Sequence, residues 1–388
     1  MTPSQIIVLA TPVFIVLIAL EVAWSWRAGR LTGPGGSHKL NDAIGSLSLG
    51  VISQLSGVFL KLLQVGVYAA VYQSVSLLSP ETAEAFWMSW GGWLLALLFY
   101  DFCYYWLHRA GHEVAIFWAA HVVHHQSQQY NLTTALRQTS TGSLLGWVFY
   151  LPMALAGVPP MVFVVVGLID LLYQFWVHTE QIRSLGWFDR WFCSPSNHRV
   201  HHAVNDDYLD RNYGGVLIIW DRLFGTFEPE NPKQPCVYGT RKPLNSWDPV
   251  WANAEVYWQL FRDAWRTRRW RDKGRVFLAP PGWQPQDLAA SEPQQCFDII
   301  NLKPYDPQSS SVAARLGVVG FCLLLAAAGG FLWNAHALTG AQSFAVFAGL
   351  LAGYWALCAM VQGRLSVTTG AGLQILGLAV TVWVLGNG

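Results

Sequence analysis

Nine of the eleven histidines in this 388-residue chain fall between His108 and His202, and their spacing is what could do chemistry. His108-x-x-x-His112 is an i, i+4 pair, while His121-x-x-His124-His125 and His198-x-x-His201-His202 repeat an i, i+3, i+4 triplet. His178 adds a ninth ring at the end of an apolar stretch. On a helix these spacings put imidazoles on one face, a turn apart, close enough to share an ion. Nine charged rings so close would repel, and burying them unpaired is costly. A divalent metal resolves the conflict by binding neutral imidazole. One metal takes about four to six ligands, so eight or nine histidines imply two metals.

Nitrogen-rich ligation without thiolates suits iron, zinc, copper or nickel, and ligand type alone does not choose among them. Structural zinc is normally closed by four ligands. Two all-histidine metals beside a membrane better fit redox chemistry on a lipid, since iron with O2 attacks unactivated C–H bonds that acid–base side chains cannot. Neighbouring polar residues have candidate supporting roles. Asp101, Tyr105, His108 and His112 share one helical stripe, which makes Asp101 a candidate acceptor for a ligand's free N–H. Glu113 and Glu180 closely follow His112 and His178; each could bind metal, orient a ring or move protons, and solvation of a helix end is the plain alternative for Glu180. Asp170 lies inside an apolar span, where an ionisable group marks function by default. In "TTALRQTS" (133–140), Arg137 is a candidate for a polar headgroup, the alternative being an ion pair with a neighbouring acid.

The elements that must position these residues are membrane helices. Charged residues are 12% of the chain, against about 25% in ordinary globular proteins, and 53% are hydrophobic. The 21 tryptophans suit membrane interfaces. A net charge of +1 gives no reason to expect nucleic acid. Six scattered cysteines, Cys103, Cys193, Cys236, Cys296, Cys322 and Cys358, form no CxxC pair and imply no disulfide framework. Spans of about 20 apolar residues are expected at 6–25, 45–72 (long, so tilted or broken), 86–107, 143–158, 159–178, 316–333, 342–361 and 369–386. The 143–178 pair is short for two crossings, which leaves a re-entrant hairpin open.

Arg27, Arg30 and Lys39 follow the first span, and 17 of the 24 Lys and Arg residues fall in 179–315. By the positive-inside rule the N-terminus is outside and the histidines face the cytoplasm, in a bacterial cytoplasmic membrane or the endoplasmic reticulum. Residues 256–275 read either as an interfacial helix with basic residues toward headgroups or as a helix packed on the cytosolic part. The expected organisation is 1–85, N-terminal transmembrane helices; 86–278, the catalytic region; 279–311, a linker; and 312–388, C-terminal transmembrane helices. The fold class is all-α, a membrane helical bundle with a cytosolic helical cap.

"DFCYYWLHRAGHE" (101–113), "HVVHH" (121–125), "SNHRVHH" (196–202) and "NYGGVLIIWDRLFGTF" (212–227) resemble the fatty acid hydroxylase / sterol desaturase superfamily of membrane di-iron enzymes. The motif-bearing resemblance covers about residues 97–230. Within it, "FWAAHVVHHQSQQYNLTTALRQT" (117–139) and "LLYQFWVHTEQI" (171–182) are most similar to the ether-lipid branch. That branch uses tetrahydrobiopterin and O2 to hydroxylate the carbon beside the ether oxygen of alkylglycerols. The resemblance implies a di-iron site on His108, His112, His121, His124, His125, His178, His198, His201 and His202, with Glu113 essential. It also implies a lipid substrate drawn from the bilayer and an electron donor, a reduced pterin or a redox protein. Asn197 departs from it, standing where a further histidine is expected. A second reading keeps the di-iron core but oxidises a fatty acyl chain, sterol or carotenoid. A membrane metal transporter or sensor is the non-enzyme alternative, although transporter ligands should sit at mid-membrane in broken helices.

Overall fold

The computed structural model describes residues 2–29, 31, 38–292 and 297–387; Arg30 and Cys296 lie outside the described residues. Those described form sixteen helices, three 3₁₀ turns and two isolated bridges, Phe192 with Leu217 and Ala203 with Tyr238. The all-α architecture is as the sequence implies.

Helix α1 (Pro3–Arg27) starts at a capping box between Thr2 and Gln5, which satisfies N–H groups that a helix start leaves free. Helix α2 (Leu40–Val75) is continuous over 36 residues, ~54 Å at 1.5 Å per residue. The expected 86–107 span is two helices, α3 (Pro80–Trp87) and α4 (Trp90–Glu113). Ser89 makes the break, its hydroxyl capping Gly92 N at 3.0 Å. A single extended residue, Val114, separates α4 from α5 (Ala115–His125), so the first two histidine motifs fold back on each other. Gly111 permits that fold: a Cβ there would lie 3.3 Å from His121.

Two helices, α6 (Leu132–Ala135) and α7 (Leu151–Leu155), and two 3₁₀ turns lead to α8 (Pro160–Trp176). The 143–178 pair, short in residues, still reaches the far ends of α2 and α3. Leu77 N donates to Leu155 O at 2.9 Å, Tyr68 OH to Val158 O at 2.9 Å, and Trp87 Nε1 to Ala156 O at 3.3 Å. The 3₁₀ turns help, because they rise ~2.0 Å per residue.

After α8 come α9 (Pro195–His202), α10 (Ile219–Phe224), α11 (Pro249–Arg266), α12 (Trp270–Leu278) and α13 (Gln286–Ser291). In α11, Leu260 is buried against α5 through Ala115 and Ala119, as the reading of a helix packed on the cytosolic part expects, while Trp258, Phe261 and Trp265 are exposed. The stretch expected as a linker carries α13, and its Tyr305 packs on Trp247 with ring centroids 5.2 Å apart.

Helices α14 (Ser311–Asn334), α15 (Gly340–Val361) and α16 (Val367–Asn387) pack as a unit around Leu324, Phe331, Leu350, Tyr354 and Val384. Gly349 and Gly377 face each other where α15 and α16 touch, and a side chain on Gly377 would collide with the Gly349 carbonyl; small residues allow such close approach in membranes. Among the described residues, α1, the first part of α2 (Leu40–Leu60), α14, α15 and α16 are long and apolar enough to cross a membrane. This is an integral membrane protein.

Candidate metal centre

All nine motif histidines converge, as two groups. His108, His112, His121, His125 and His201 form one, and His124, His178, His198 and His202 the other; within each group the ligand atoms lie within 4.8 Å of one another. Each triplet was expected to put its rings on one face and share an ion, and here the structure differs. His121 and His125 serve the first group while His124 joins the second; on α9, His198 and His202 serve the second while His201 joins the first. Helix geometry explains the crossing. Positions i and i+4 are ~40° apart around the axis, whereas i+3 falls ~60° to the other side. Each H-x-x-H-H helix therefore feeds both groups.

The rings point inward through Nε2. Nε2 of His108 and of His125 each lie 3.0 Å from Nε2 of His121. In the four-ring group, Nε2 of His178 is 3.0 Å from that of His124 and 3.1 Å from that of His198. The Nδ1 atoms face outward to fixed partners. His108 meets the Tyr213 carbonyl at 2.7 Å, His124 that of Arg137 at 2.9 Å, His178 that of Gln174 at 2.8 Å and His201 that of Arg211 at 3.0 Å. His112 meets the Asp210 carboxylate at 3.3 Å, and His198 the Cys193 sulfur at 3.9 Å.

These partners decide the tautomers. A carbonyl only accepts, so Nδ1 of His124 and of His178 must carry the proton, and each neutral ring keeps its lone pair on Nε2. Two such lone pairs 3.0 Å apart repel unless a cation lies between the rings. A second proton would place charge in a buried pocket. Burial pushes His124 down to about 4, with the Arg137 carbonyl opposing the shift, and holds His198, His201 and His202 well below the ordinary histidine range. In the five-ring group, buried Nε2 of His112 and of His201 have no hydrogen-bond partner among the described residues. Neutral, convergent and unsatisfied, the donor set fits a pair of divalent metal ions.

The supporting residues divide. Asp101, expected to accept from a ligand ring, instead accepts from Val216 N at 2.7 Å, Leu217 N at 3.1 Å and Trp220 Nε1 at 2.8 Å. It anchors the loop whose Tyr213 carbonyl holds His108, one step further out than the stripe suggested. Tyr105 joins the same scaffold through Thr226, 2.9 Å from its hydroxyl. Glu113 lies outside both groups and accepts from Arg109 Nε at 2.9 Å and from the Tyr213 hydroxyl at 3.4 Å. Asp170 accepts from the Gln174 side chain at 2.7 Å, and Glu180 faces the Tyr238 hydroxyl at 3.2 Å.

Arg137 takes the alternative the sequence offered, a neighbouring acid, and Asn197 stands apart from both groups. The Arg137 guanidinium is buried and donates to Val123 O at 2.7 Å and Gln126 at 3.0 Å, with Asp42 as its neighbouring acid; it is not open to a headgroup. Asn197 directs its amide at the carbonyls of Asp189 and Phe192, each 3.1 Å away, and belongs to neither group.

Other anchors escaped the sequence reading. Asp221 accepts from Tyr213 N and Gly214 N at 2.7 Å, and burial raises its carboxyl to about 6. Arg199 grips Glu230 through Nε at 2.8 Å and donates to the carbonyls of Thr179 and Ile182, fixing α9 to the His178 turn. Glu21, an acid inside the first span, accepts from Leu132 N at 2.8 Å and from the Thr179 hydroxyl. Acids in an apolar span, and an Arg within a histidine motif, were the available signals.

A cavity of about 1080 Å³ opens from the centre, with His108, His121, His124 and His178 in its wall. It continues between α1, α2, α4, α8 and α14 along mostly apolar side chains. Histidine groups opening onto a mostly apolar cavity fit a membrane enzyme that acts on lipids. The chain belongs to the fatty acid hydroxylase family: that family's model matches residues 93–226, and the similarity to whole enzymes extends further. Alkylglycerol monooxygenase of Xenopus tropicalis is 40% identical over 320 residues, covering 82% of this chain and 68% of the relative. The Homo sapiens enzyme of the same name is 39% identical over 319 residues, covering 82% and 69%. Ornithine lipid hydroxylase OlsE of Rhizobium tropici is 29% identical over 37% of this chain and 43% of its own. No solved structure matches.

Proposed function

We propose that this lipid monooxygenase holds two iron ions in its two histidine groups and hydroxylates the carbon beside the ether oxygen of an alkylglycerol. O2 is the co-substrate and, on the family resemblance, reduced tetrahydrobiopterin the electron donor. Hydroxylation at that carbon makes a hemiacetal, which collapses to an aldehyde and a free glycerol lipid. The basic-residue pattern supports a centre on the cytoplasmic side, within the catalytic region 86–278.

The observation that carries this reading is the junction of centre and cavity, where four ligand rings also line the lipid-sized space. Bound iron supplies oxygen chemistry that no side chain offers. The chain does the rest. Its nine imidazoles are the proposed ligands, and main-chain carbonyls on Nδ1 orient four of them, His108, His124, His178 and His201. Apolar walls keep water from the reacting carbon. Glu113 acts as a positioning residue, accepting from the hydroxyl of Tyr213, the residue whose carbonyl holds His108 Nδ1.

Metal analysis of the purified protein, paired with an aldehyde assay, tests the proposal. Two irons per chain and pterin-dependent aldehyde from alkylglycerol are expected. Hydroxylated fatty acid or sterol with no aldehyde from alkylglycerol would move the substrate to the wider superfamily. Stoichiometric zinc without iron would overturn the chemistry.

A further inference from the structure

Resting on the reading that the substrate is an amphiphile with one long tail, we propose that the groove between α1 and α14 binds that tail. Ala326 and Gly329 of α14 then set the length accepted. The family-matched segment, residues 93–226, contains neither helix, so this part of the binding site belongs to elements outside it.

Two anchors give the groove its direction. At the near end, the Phe14 ring lies 4.6 Å from that of Phe175, three residues before His178. At the far end, Gln5 Nε2 donates to the Trp333 carbonyl at 3.2 Å. The cavity wall on α1 runs from Ile18 to Ile7, ~16 Å of helix. On α14 the wall includes Cys322, Ala326, Gly329 and Trp333, a single stripe at i, i+4, i+7 and i+11.

The glycines of α14 show that the space along this stripe is not packing left undone. A Cβ on Gly317 would come within 2.8 Å of Val361, one on Gly320 would collide with Gln374, and one on Gly330 would touch Leu385 at 3.4 Å. The first two are small because a neighbouring helix is close, while Gly330 would make only ordinary contact. A Cβ on Gly329 would meet nothing within 4 Å among the described residues, so its smallness keeps the groove open. The walls also ask for nothing polar: the Thr11 hydroxyl already donates to Ile7 O at 2.8 Å. Polar side chains also line the cavity on α2 (Gln54, Gln64) and α8 (Asp170, Gln174), and a cluster of Gln138, Thr139, Thr141 and Tyr257 marks where a glycerol group would sit. A hydrocarbon tail is the occupant that matches one polar and one apolar end.

Gly329→Leu and Ala326→Phe, compared with the parent chain on alkylglycerols of graded tail length, test the proposal, with metal content measured alongside. Gly329→Leu should keep turnover of short tails and lose about tenfold or more in kcat/KM on the longest. Ala326→Phe, ~4.5 Å nearer the histidines, should shift the cut-off to tails shorter by a few methylenes, with metal unchanged in both. An equal fall at every length, or no change in preference, would overturn the assignment. If the parent chain keeps its metals yet cleaves no alkylglycerol, the substrate reading fails by itself. Native mass spectrometry of co-purified lipid then tests the groove: shorter retained tails in the variants support it, and identical tails overturn it.

Discussion

The two histidine groups share helices α5 and α9 but are steadied in different ways. In the four-ring group the outward atoms meet main-chain carbonyls of Arg137 and Gln174 and the buried Cys193 sulfur. The five-ring group depends on one loop, residues 210–213, which supplies the Arg211 and Tyr213 carbonyls and the Asp210 carboxylate. That loop holds Asp210 and Asn212 at φ 57°, a left-handed conformation that costs energy unless the surroundings impose it. Asp221 holds its C-terminal end at Tyr213 and Gly214, and Asp101 holds the backbone just beyond at Val216 and Leu217, through buried hydrogen bonds. One group is therefore fixed by helix ends, and the other by a tethered loop carrying a half-exposed carboxylate. A carboxylate on Nδ1 makes its histidine a more basic ligand than a carbonyl does, so a metal held by the five-ring group would be the one whose properties the protein can tune.

The harshest way to break this contrast is to delete a ligand from the rigid group. His178→Ala, or His124→Ala, should abolish turnover and take metal content from two per chain toward one, with the remaining ion in the five-ring group. His201→Ala should do the reverse, leaving the four-ring ion. Metal analysis with a spectroscopic signature of each site checks this, and full activity in either His124→Ala or His201→Ala would sink the two-group assignment. A smaller break leaves every ligand in place. Asp101→Ala removes the acceptor of three N–H groups and frees the loop. About 10- to 100-fold weaker metal binding is expected in the five-ring group, while the four-ring group holds its ion. Equal loss from both would mean that the loop does not act separately. Asp210→Asn is milder still: the contact to His112 survives without its charge. Metal affinity should fall about tenfold or less, with a shifted signature for the five-ring metal and an unchanged KM for lipid.

What the sequence could disclose follows the same division. The nine proposed ligands were legible because spacing alone brings side chains to one helix face, and nine clustered histidines have few other uses. Their partition was not, because H-x-x-H-H on a helix looks like one face until the angle between i+3 and i+4 is drawn. Most Nδ1 anchors are main-chain carbonyls, which every residue has, so Gln174 and Arg211 carry no signal of their role. Asp101 was found by its stripe and given the wrong partner, since a stripe fixes a direction and not what lies beyond it. Membrane helices were legible from length and apolarity. The part α14 plays was not, because it depends on Gly329 facing empty space while Gly317 and Gly320 face side chains.

Asn197 sharpens the comparison at its quietest point. On the family resemblance a histidine belongs there, and Asn197→His would seem to restore a tenth ligand. The surroundings argue otherwise. Position 197 is buried, and its amide nitrogen ties the carbonyls of Asp189 and Phe192, at the turn that also presents Cys193 to His198. The side chain thus holds the backbone ahead of α9 and does not face the converging Nε2 atoms. An imidazole would offer at most one donor in that direction where the amide offers two, leaving a buried carbonyl without its partner. The expected cost is about 1–3 kcal/mol of stability, read as a lower unfolding midpoint in the same detergent, with two metals per chain and an unaltered metal signature. A changed signature in Asn197→His would show instead that position 197 can reach the centre.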